Sequence, residues 1–184
     1  MKMKRIKQIF SQKRVMVVIG LLILAVLILI TPFNKSLVFE YQDTGKILAF
    51  YPIKNTNHFS IRYIHSIHLT PVQEFYTIKG KHIVQTKLTY ENFAIGMPSH
   101  AQGNETFTQK GKTYILSNMN RSFPYVDLRV GQVVSNHTLI ISHHQYPIHA
   151  FTGKGMWVRI RVHKINLWEM MKGVNILERQ DNKK

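Results

Sequence analysis

An unbroken uncharged run, residues 15–33, constrains the chain more than any other feature of its sequence. The run consists almost entirely of Val, Ile, Leu, Met and Ala. A helix needs about 20 apolar residues to cross the hydrocarbon core of a bilayer, and this run is just long enough. The sequence therefore predicts a transmembrane anchor that contacts the lipid bilayer through residues 15–33.

The segment before this run, residues 1–14, predicts the orientation of the anchor. It contains six Lys and Arg and no acidic residue. Basic residues that flank a membrane span stay on the cytoplasmic side. We therefore expect a cytoplasmic leader at 1–14, an extracytoplasmic domain at 34–178 and a flexible tail at 179–184. The predicted location is the cell membrane, with a single pass.

A cleaved signal peptide is the alternative interpretation of the same segment. Such peptides have an apolar region of about 7–15 residues and a cleavage site made of small residues. The run here is longer, and Phe33 and Asn34 are poor substitutes for small residues. The sequence therefore favours an uncleaved anchor.

The charge of the chain is strongly positive, at +16, and its distribution excludes one class of partner. Six of the 25 basic residues lie in the leader, and the rest of the chain has 19 basic against 9 acidic residues. These residues are scattered and form no arginine-rich run or DNA-binding motif. We therefore expect no nucleic-acid partner, and interpret the charge as a surface facing anionic headgroups or a polyanionic cell wall.

The sequence after the anchor contains many short segments of strand character. In residues 157–162 arginine alternates with apolar residues, which is typical of a strand with one wet face. Further strands are predicted at 37–41, 46–53, 58–65, 72–78, 82–90, 113–116, 125–130 and 138–141. Since the chain has no cysteine, packing alone must stabilise the domain. The pattern indicates a mainly β fold, an antiparallel β-sandwich or barrel-like domain, behind one N-terminal helix.

One helix is predicted outside the anchor, at residues 167–172. Asn166 is suited to cap its first turn, and Glu169 lies at the capping-box position. Gly173 follows the last residue as a stop signal.

The densest polar cluster lies in residues 61–76, which are predicted to form a hairpin. Matching the apolar faces of its two strands fixes the register, because a slip of one residue turns a whole face over. The apolar pairs in this register are Ile61–Ile78 and Tyr63–Tyr76. The same register places His65 opposite Glu74, with Cβ atoms about 5 Å apart.

A contact between His65 and Glu74 allows several interpretations. The carboxylate can raise the pKa of the imidazole, orient a general base, or satisfy two half-buried polar groups. Ser66 faces the opposite side of the strand from His65, so a catalytic triad of these residues is poorly supported. We therefore predict no catalytic residue.

The remaining candidates are a glycine-containing loop and the histidines. Residues 93–103 are predicted to form an ordered loop, because Gly96 tolerates left-handed backbone angles and Pro98 fixes its own φ. The ten histidines show none of the close spacings of zinc ligands. No metal and no cofactor are therefore predicted.

The pattern Tyr63-x-His65-Ser66, followed by Pro71-Val72-x-Glu74 and later by Gly96-x-Pro98, resembles the DUF1850 family. The family consists of small bacterial envelope proteins of unassigned molecular function, and it supplies no catalytic residues. The resemblance implies a genomic context, since relatives are commonly encoded beside TAXI-type TRAP transporters, which have a solute-binding protein and a large permease.

The sequence thus predicts a membrane-anchored extracytoplasmic binding or accessory protein rather than an enzyme. Its partner would be a TRAP permease or the solute-binding protein of that system. The candidate ligand- or partner-binding residues are His65, Ser66, Pro71, Glu74, Gly96 and Pro98. The alternatives are an envelope hydrolase or metal-dependent enzyme that uses His65 and Glu74, and a cell-wall binding module.

Overall fold

A computed structural model of the chain describes residues 2–54, 56–93, 96–134 and 136–178. The predicted tail at 179–184 lies outside these residues. Helix α1 spans Lys2–Ile30, and within it the stretch Lys13–Ile30 is long and apolar enough to cross a membrane. The side chains of this stretch are exposed. The helix ends before Pro32, because proline disfavours helical angles in the residue that precedes it.

The rest of the described chain consists of thirteen strands and two short helices. The strands are β1 (Asn34–Tyr41), β2 (Ile47–Pro52), β3 (His58–Ile64), β4 (Pro71–Lys79), β5 (His82–Tyr90), β6 (Thr106–Lys110), β7 (Thr113–Ser117), β8 (Arg121–Phe123), β9 (Tyr125–Arg129), β10 (Thr138–Ile141), β11 (His144–Pro147), β12 (Trp157–Ile165) and β13 (Val174–Asn175). The helices are α2 (His149–Thr152) and α3 (Leu167–Lys172).

The strands form two sheets that pack as a sandwich. The first sheet has the order β13-β2-β1-β12-β9, and its pairings are antiparallel except that of β13 with β2. The second has the order β11-β10-β3-β4-β5-β7-β6, and β8 also pairs with β5. The predicted fold class, a mainly antiparallel β-sandwich behind one N-terminal helix, is confirmed.

The main hydrophobic core lies between the two sheets. Strands β1 and β12 contribute alternate apolar residues from one side, and β3, β4 and β10 contribute theirs from the other. Phe39 and Ile160 are fully buried on the first sheet, as is Leu139 on the second. A smaller cluster around Tyr90 and Leu116 fills the far end of the second sheet.

The hairpin of β3 and β4 forms, but its register differs by four residues from the predicted one. Ile61 lies opposite Glu74, and Tyr63 lies opposite Val72. The predicted pairs Ile61–Ile78, Tyr63–Tyr76 and His65–Glu74 are therefore wrong. The reason is the loop: the His65 amide donates to the Thr70 carbonyl, which closes the connection over four residues, whereas the predicted register leaves eight residues between His65 and Glu74.

Leu69 makes this short loop feasible. Its φ of 54° is left-handed, and its amide donates to the His65 carbonyl. A non-glycine residue rarely adopts such an angle, so no residue in this segment marks the tight closure in advance. Because the shift is an even number, every side chain keeps its predicted face.

Helix α3 has the predicted bounds and the predicted cap. The Glu169 amide donates to Oδ1 of Asn166, and the Asn166 amide donates to Oε2 of Glu169, both at 2.8 Å. The helix packs on the first sheet through Met170, and it ends at Gly173.

Candidate functional site

The side chain of Glu74 lies on the face of β4 that is turned toward the first sheet. Its Oε2 accepts a hydrogen bond of 2.6 Å from the hydroxyl of Tyr76, two residues further along the strand. The Tyr63 hydroxyl, on the neighbouring strand, also hydrogen-bonds with this carboxylate. Alternation along β4 and the register with β3 therefore bring one carboxylate between two tyrosines.

The environment of Glu74 raises the pKa of its carboxyl above the ordinary value. Burial is the main cause, because it disfavours the charged form. The hydrogen bonds from Tyr76 and Tyr63 act in the opposite direction and do not cancel the effect of burial. Glu74 therefore holds its proton to higher pH than an exposed glutamate.

The pKa of each tyrosine hydroxyl is raised as well. Burial is the larger cause for both Tyr63 and Tyr76, and the adjacent charge of Glu74 adds to it. Both hydroxyls therefore remain protonated hydrogen-bond donors at neutral pH.

A cleft with a volume of about 540 Å³ opens beside this group, at the edge of the sandwich. One wall comes from the second sheet and carries Glu74 and the two tyrosines. The other wall is β9, which is an edge strand of the first sheet in the described part of the chain. The residues lining the cleft are Ile61, Tyr63, Glu74, Tyr76, Gln85, Phe123, Tyr125, Val126, Asp127, Leu128, Arg129 and His137.

His137 supports the tyrosine side of the cleft. Its ring stacks on that of Tyr63 with centroids 5.0 Å apart. Its Nδ1 accepts a hydrogen bond from the Gly131 amide at 3.3 Å. Tyr63 is therefore held between the Glu74 carboxylate and a buried imidazole.

Aromatic rings border the opening. Phe123 and Tyr125 line the cleft and are both partly exposed. The guanidinium of Arg159 lies 3.6 Å from the centroid of the Tyr125 ring and also pairs with Asp127. Asp127 is thus already balanced by an arginine, while Glu74 makes no ion pair in the described part of the chain.

The structure separates His65 from Glu74. His65 belongs to the loop after β3, where its Nδ1 accepts from the Ile67 amide at 3.3 Å and its ring lies 5.7 Å from that of His68. It does not line the cleft. The predicted His65–Glu74 contact is therefore wrong, and the acid–base pair assumed for a hydrolase is not formed.

The other sequence candidates also lie outside the cleft. Ser66 and Pro71 are exposed at the two ends of the same loop. Gly96 has a φ of 91°, as expected from its predicted role in a turn. The Pro98 carbonyl accepts a hydrogen bond from the hydroxyl of Tyr90, which fastens this loop to the smaller core cluster.

The sequence marks Glu74 and the two tyrosines beside it but not the other residues that surround it. In the predicted hairpin Tyr63 and Tyr76 lie on the same face as Glu74, and that shared face is the signal that the sequence offers. Phe123, Tyr125 and His137 lie far along the chain, and no local pattern marks them. The described residues also contain no group of three or more His, Asp or Glu that could hold a metal ion.

Comparison with protein families identifies the segment that builds this cleft. The model of a domain of unknown function, DUF1850, matches residues 59–148, about half of the chain. These residues belong to the DUF1850 family. The predicted resemblance is confirmed, and every residue lining the cleft falls inside the DUF1850 segment, whereas α1 and α3 fall outside it. No curated protein and no solved structure matches the chain.

Proposed function

We propose that the protein is a membrane-anchored binding protein whose ligand site is the cleft beside Glu74. The ligand class that fits this cleft is a molecule or peptide side chain carrying a positively charged nitrogen. The observation that carries the proposal is the carboxylate of Glu74, which is hydrogen-bonded by tyrosines but makes no ion pair in the described part of the chain.

The arginine partners of three other carboxylates contrast with the surroundings of Glu74 and support this choice of ligand. Glu40, Glu105 and Asp127 each pair with an arginine at 2.9 Å or less. Hydrogen bonds from tyrosine satisfy the oxygen atoms of Glu74 but bring no compensating charge. A cation entering the cleft would supply it, and the partial burial of Glu74 would strengthen the attraction.

The aromatic rings favour the same ligand. Tyr63 and Tyr76 flank the carboxylate, and Phe123 and Tyr125 border the opening. Cations are attracted to the faces of aromatic rings by about 0.5–2 kcal/mol per contact, depending on desolvation. A carboxylate among aromatic rings is therefore suited to an ammonium group.

The cellular location proposed for this cleft follows from α1 and the leader. The apolar stretch Lys13–Ile30 would span the membrane, and the basic residues before it would remain in the cytoplasm. The sandwich would then lie outside the cytoplasm as a tethered accessory domain. The genomic context implied by the DUF1850 resemblance adds a partner, the permease or solute-binding protein of a TAXI-type TRAP transporter.

The binding proposal is tested with a panel of primary and quaternary ammonium compounds, each paired with a neutral molecule of the same shape. Isothermal titration of the full chain in detergent micelles is expected to detect binding of charged members only. In Glu74→Gln this binding should weaken by about tenfold or more, because hydrogen bonds to charged groups contribute about 1.5–3 kcal/mol.

The matched control is Glu91→Gln, which removes a carboxylate that follows β5 and does not line the cleft. It is expected to bind like the unaltered chain. Equal binding by Glu74→Gln, or equal binding of the neutral molecules, would contradict the proposed site.

The partner proposal has a separate test. The full chain is expected to co-purify with the permease after mild detergent extraction from its own host. Failure of the two to co-purify under conditions that keep the permease intact would contradict the proposed partner. It would not affect the proposed ligand site.

A further inference from the structure

Helix α3 exposes an apolar face beside the end of α1. Trp168 is 50% exposed and Met171 is 70% exposed. Leu167 precedes Met171 by four residues, so the two lie on the same side of the helix. Lys172 lies with its Nζ 4.3 Å from the centroid of the Trp168 ring. A tryptophan, apolar side chains and a lysine on one exposed face are typical of a helix at a membrane interface.

Direct contacts fix α3 against the end of the apolar stretch of α1. Nδ2 of Asn166, the cap of α3, donates to the Ile30 carbonyl at 3.2 Å. The Phe33 amide donates to the Ile165 carbonyl, also at 3.2 Å. The two helices enclose a shallow apolar groove lined by Leu27, Ile28, Thr31, Phe33 and Leu167.

The length of the apolar stretch determines where this contact lies. Residues 15–30, which follow the basic leader, rise by about 24 Å as a helix, which is most of the thickness of the hydrocarbon core. If they fill the core, Ile30 lies at its boundary. Helix α3, which touches Ile30, then lies in the headgroup region.

The other side of α3 is fixed to the protein, so its exposed face cannot turn inward. Met170 packs against a buried cluster that includes Val38 and Phe50. A Cβ atom added to Gly173 would lie 2.9 Å from Cγ2 of Ile47, so the end of the helix is in close contact with the sheet.

The charges at the end of the first sheet that meets α1 match an anionic surface. Lys35 and Lys164 lie directly opposite each other on β1 and β12, near the point where α1 enters the sheet. Like charges in this position destabilise a sheet. Anionic headgroups would relieve this repulsion and would also attract Lys172.

We propose that α3 is a second membrane contact, which inserts Trp168 and Met171 into the lipid interface and holds the sandwich in a fixed orientation on the bilayer. This inference rests on the proposed anchoring by α1 but not on the ligand proposed for the cleft. It makes the linkage between membrane and domain rigid, since only three residues separate Ile30 from β1.

The chain contains two tryptophans, and they provide a matched pair of probes. Trp157 is also 50% exposed, so the two differ in position and not in exposure. Trp157 begins β12, and eight steps of about 3.3 Å place it roughly 26 Å along the strand from Ile165. The variants Trp157→Phe and Trp168→Phe each leave a single fluorescent reporter.

The test reconstitutes the full chain in vesicles of phosphatidylcholine with a minority of phosphatidylglycerol, with bromine atoms near the top of the acyl chains. Trp168, in the Trp157→Phe variant, is expected to lose at least half of its emission and to shift to shorter wavelength. Trp157, in the Trp168→Phe variant, is expected to keep its emission and to remain open to an aqueous quencher. Far-ultraviolet circular dichroism tests whether each variant folds. If Trp168→Phe does not fold, the quenching of Trp168 in the Trp157→Phe variant still tests the inference.

Two results would overturn the inference, and they have different consequences for the proposed anchoring by α1. If the vesicles carry the protein but Trp168 is no more quenched than Trp157, α3 does not contact lipid and the anchor is unaffected. If the protein does not associate with the vesicles, the anchoring by α1 and the contact by α3 fail together.

Discussion

Glu40 in the first sheet is fully buried and Glu74 in the second is half-buried, and different groups donate hydrogen bonds to them. Glu40 is 1% exposed, and its Oε1 accepts from the guanidinium of Arg161 at 2.6 and 2.7 Å. Glu74 is half-buried, and its partners are the hydroxyls of Tyr76 and Tyr63.

The main difference between the two carboxylates is whether a positive charge lies beside them. Arg161 donates to Oε1 of Glu40 and cancels its charge, while Oε2 is buried and has no hydrogen-bond partner in the described part of the chain. The tyrosines donate to Glu74 but carry no charge, and Arg129, which also lines the cleft, forms no ion pair with it. We therefore interpret Glu40 as a structural group and Glu74 as a binding group, and substitutions on both sides of the comparison test this distinction.

The largest effect is expected from Arg161→Met, which leaves Glu40 buried without its cation. Removing one partner of a buried ion pair costs about 3 kcal/mol or more. The free energy of unfolding, measured by denaturant titration in detergent micelles, should fall accordingly. The control is Arg159→Met on the same strand, whose carboxylate partners are more exposed and regain water when the arginine is removed, so its loss should cost less. Equal losses in the two variants would contradict a structural role specific to Glu40.

A smaller effect is expected from Tyr76→Phe, which removes the 2.6 Å hydrogen bond to Glu74. The free energy of unfolding should fall by about 1–2 kcal/mol. Because this hydrogen bond lowers the pKa of Glu74, its removal should raise that pKa further. Tyr114→Phe removes a hydroxyl that does not line the cleft and should leave the pKa of Glu74 unchanged. A fall in the pKa of Glu74 in Tyr76→Phe would contradict the assigned hydrogen bond.

The smallest effect on stability is expected from Glu74→Gln, and its sign depends on pH. Burial raises the pKa of Glu74 in the native state, so between the unfolded and native values the native state binds more protons. The contribution of Glu74 to stability is therefore fully present below the unfolded pKa and is lost as pH rises through the native pKa. Glutamine does not titrate, so the variant does not lose stability in this way as pH rises. At neutral pH its free energy of unfolding should equal or exceed that of the unaltered chain.

Thermal unfolding of both proteins over a series of pH values measures this difference. The other charged or titratable groups lining the cleft are Tyr63, Tyr76, Asp127, Arg129 and His137. They remain in the variant, so their titration is common to the two curves. A variant less stable than the unaltered chain at neutral pH would indicate that Glu74, like Glu40, is a structural group.

Local signals in the sequence predicted local structure well. Asn166, Glu169 and Gly173 specify both ends of α3, because capping depends only on residues within one turn. The alternation of residues 157–162 likewise predicted β12. The face shared by Glu74 and the tyrosines was predicted for the same reason, since alternation along a strand is a local property.

The cleft itself depends on contacts that no local pattern records. The register of β3 and β4 depends on the left-handed angle of Leu69, a conformation that its side chain does not favour. The second wall comes from β9, which reaches the cleft only because it pairs with β12 about thirty residues later. The sequence therefore predicted that Glu74 is important but paired it with His65.

The central claim is that Glu74 is a binding carboxylate whose charge is left for a ligand to balance. The most direct measurement follows its side-chain carboxyl carbon by NMR as pH is varied, without and with the ammonium compound that binds best. The expected result is a pKa above the ordinary glutamate value in the free protein, which falls when the compound is bound. An ordinary pKa, or one that the bound compound leaves unchanged, would contradict the claim.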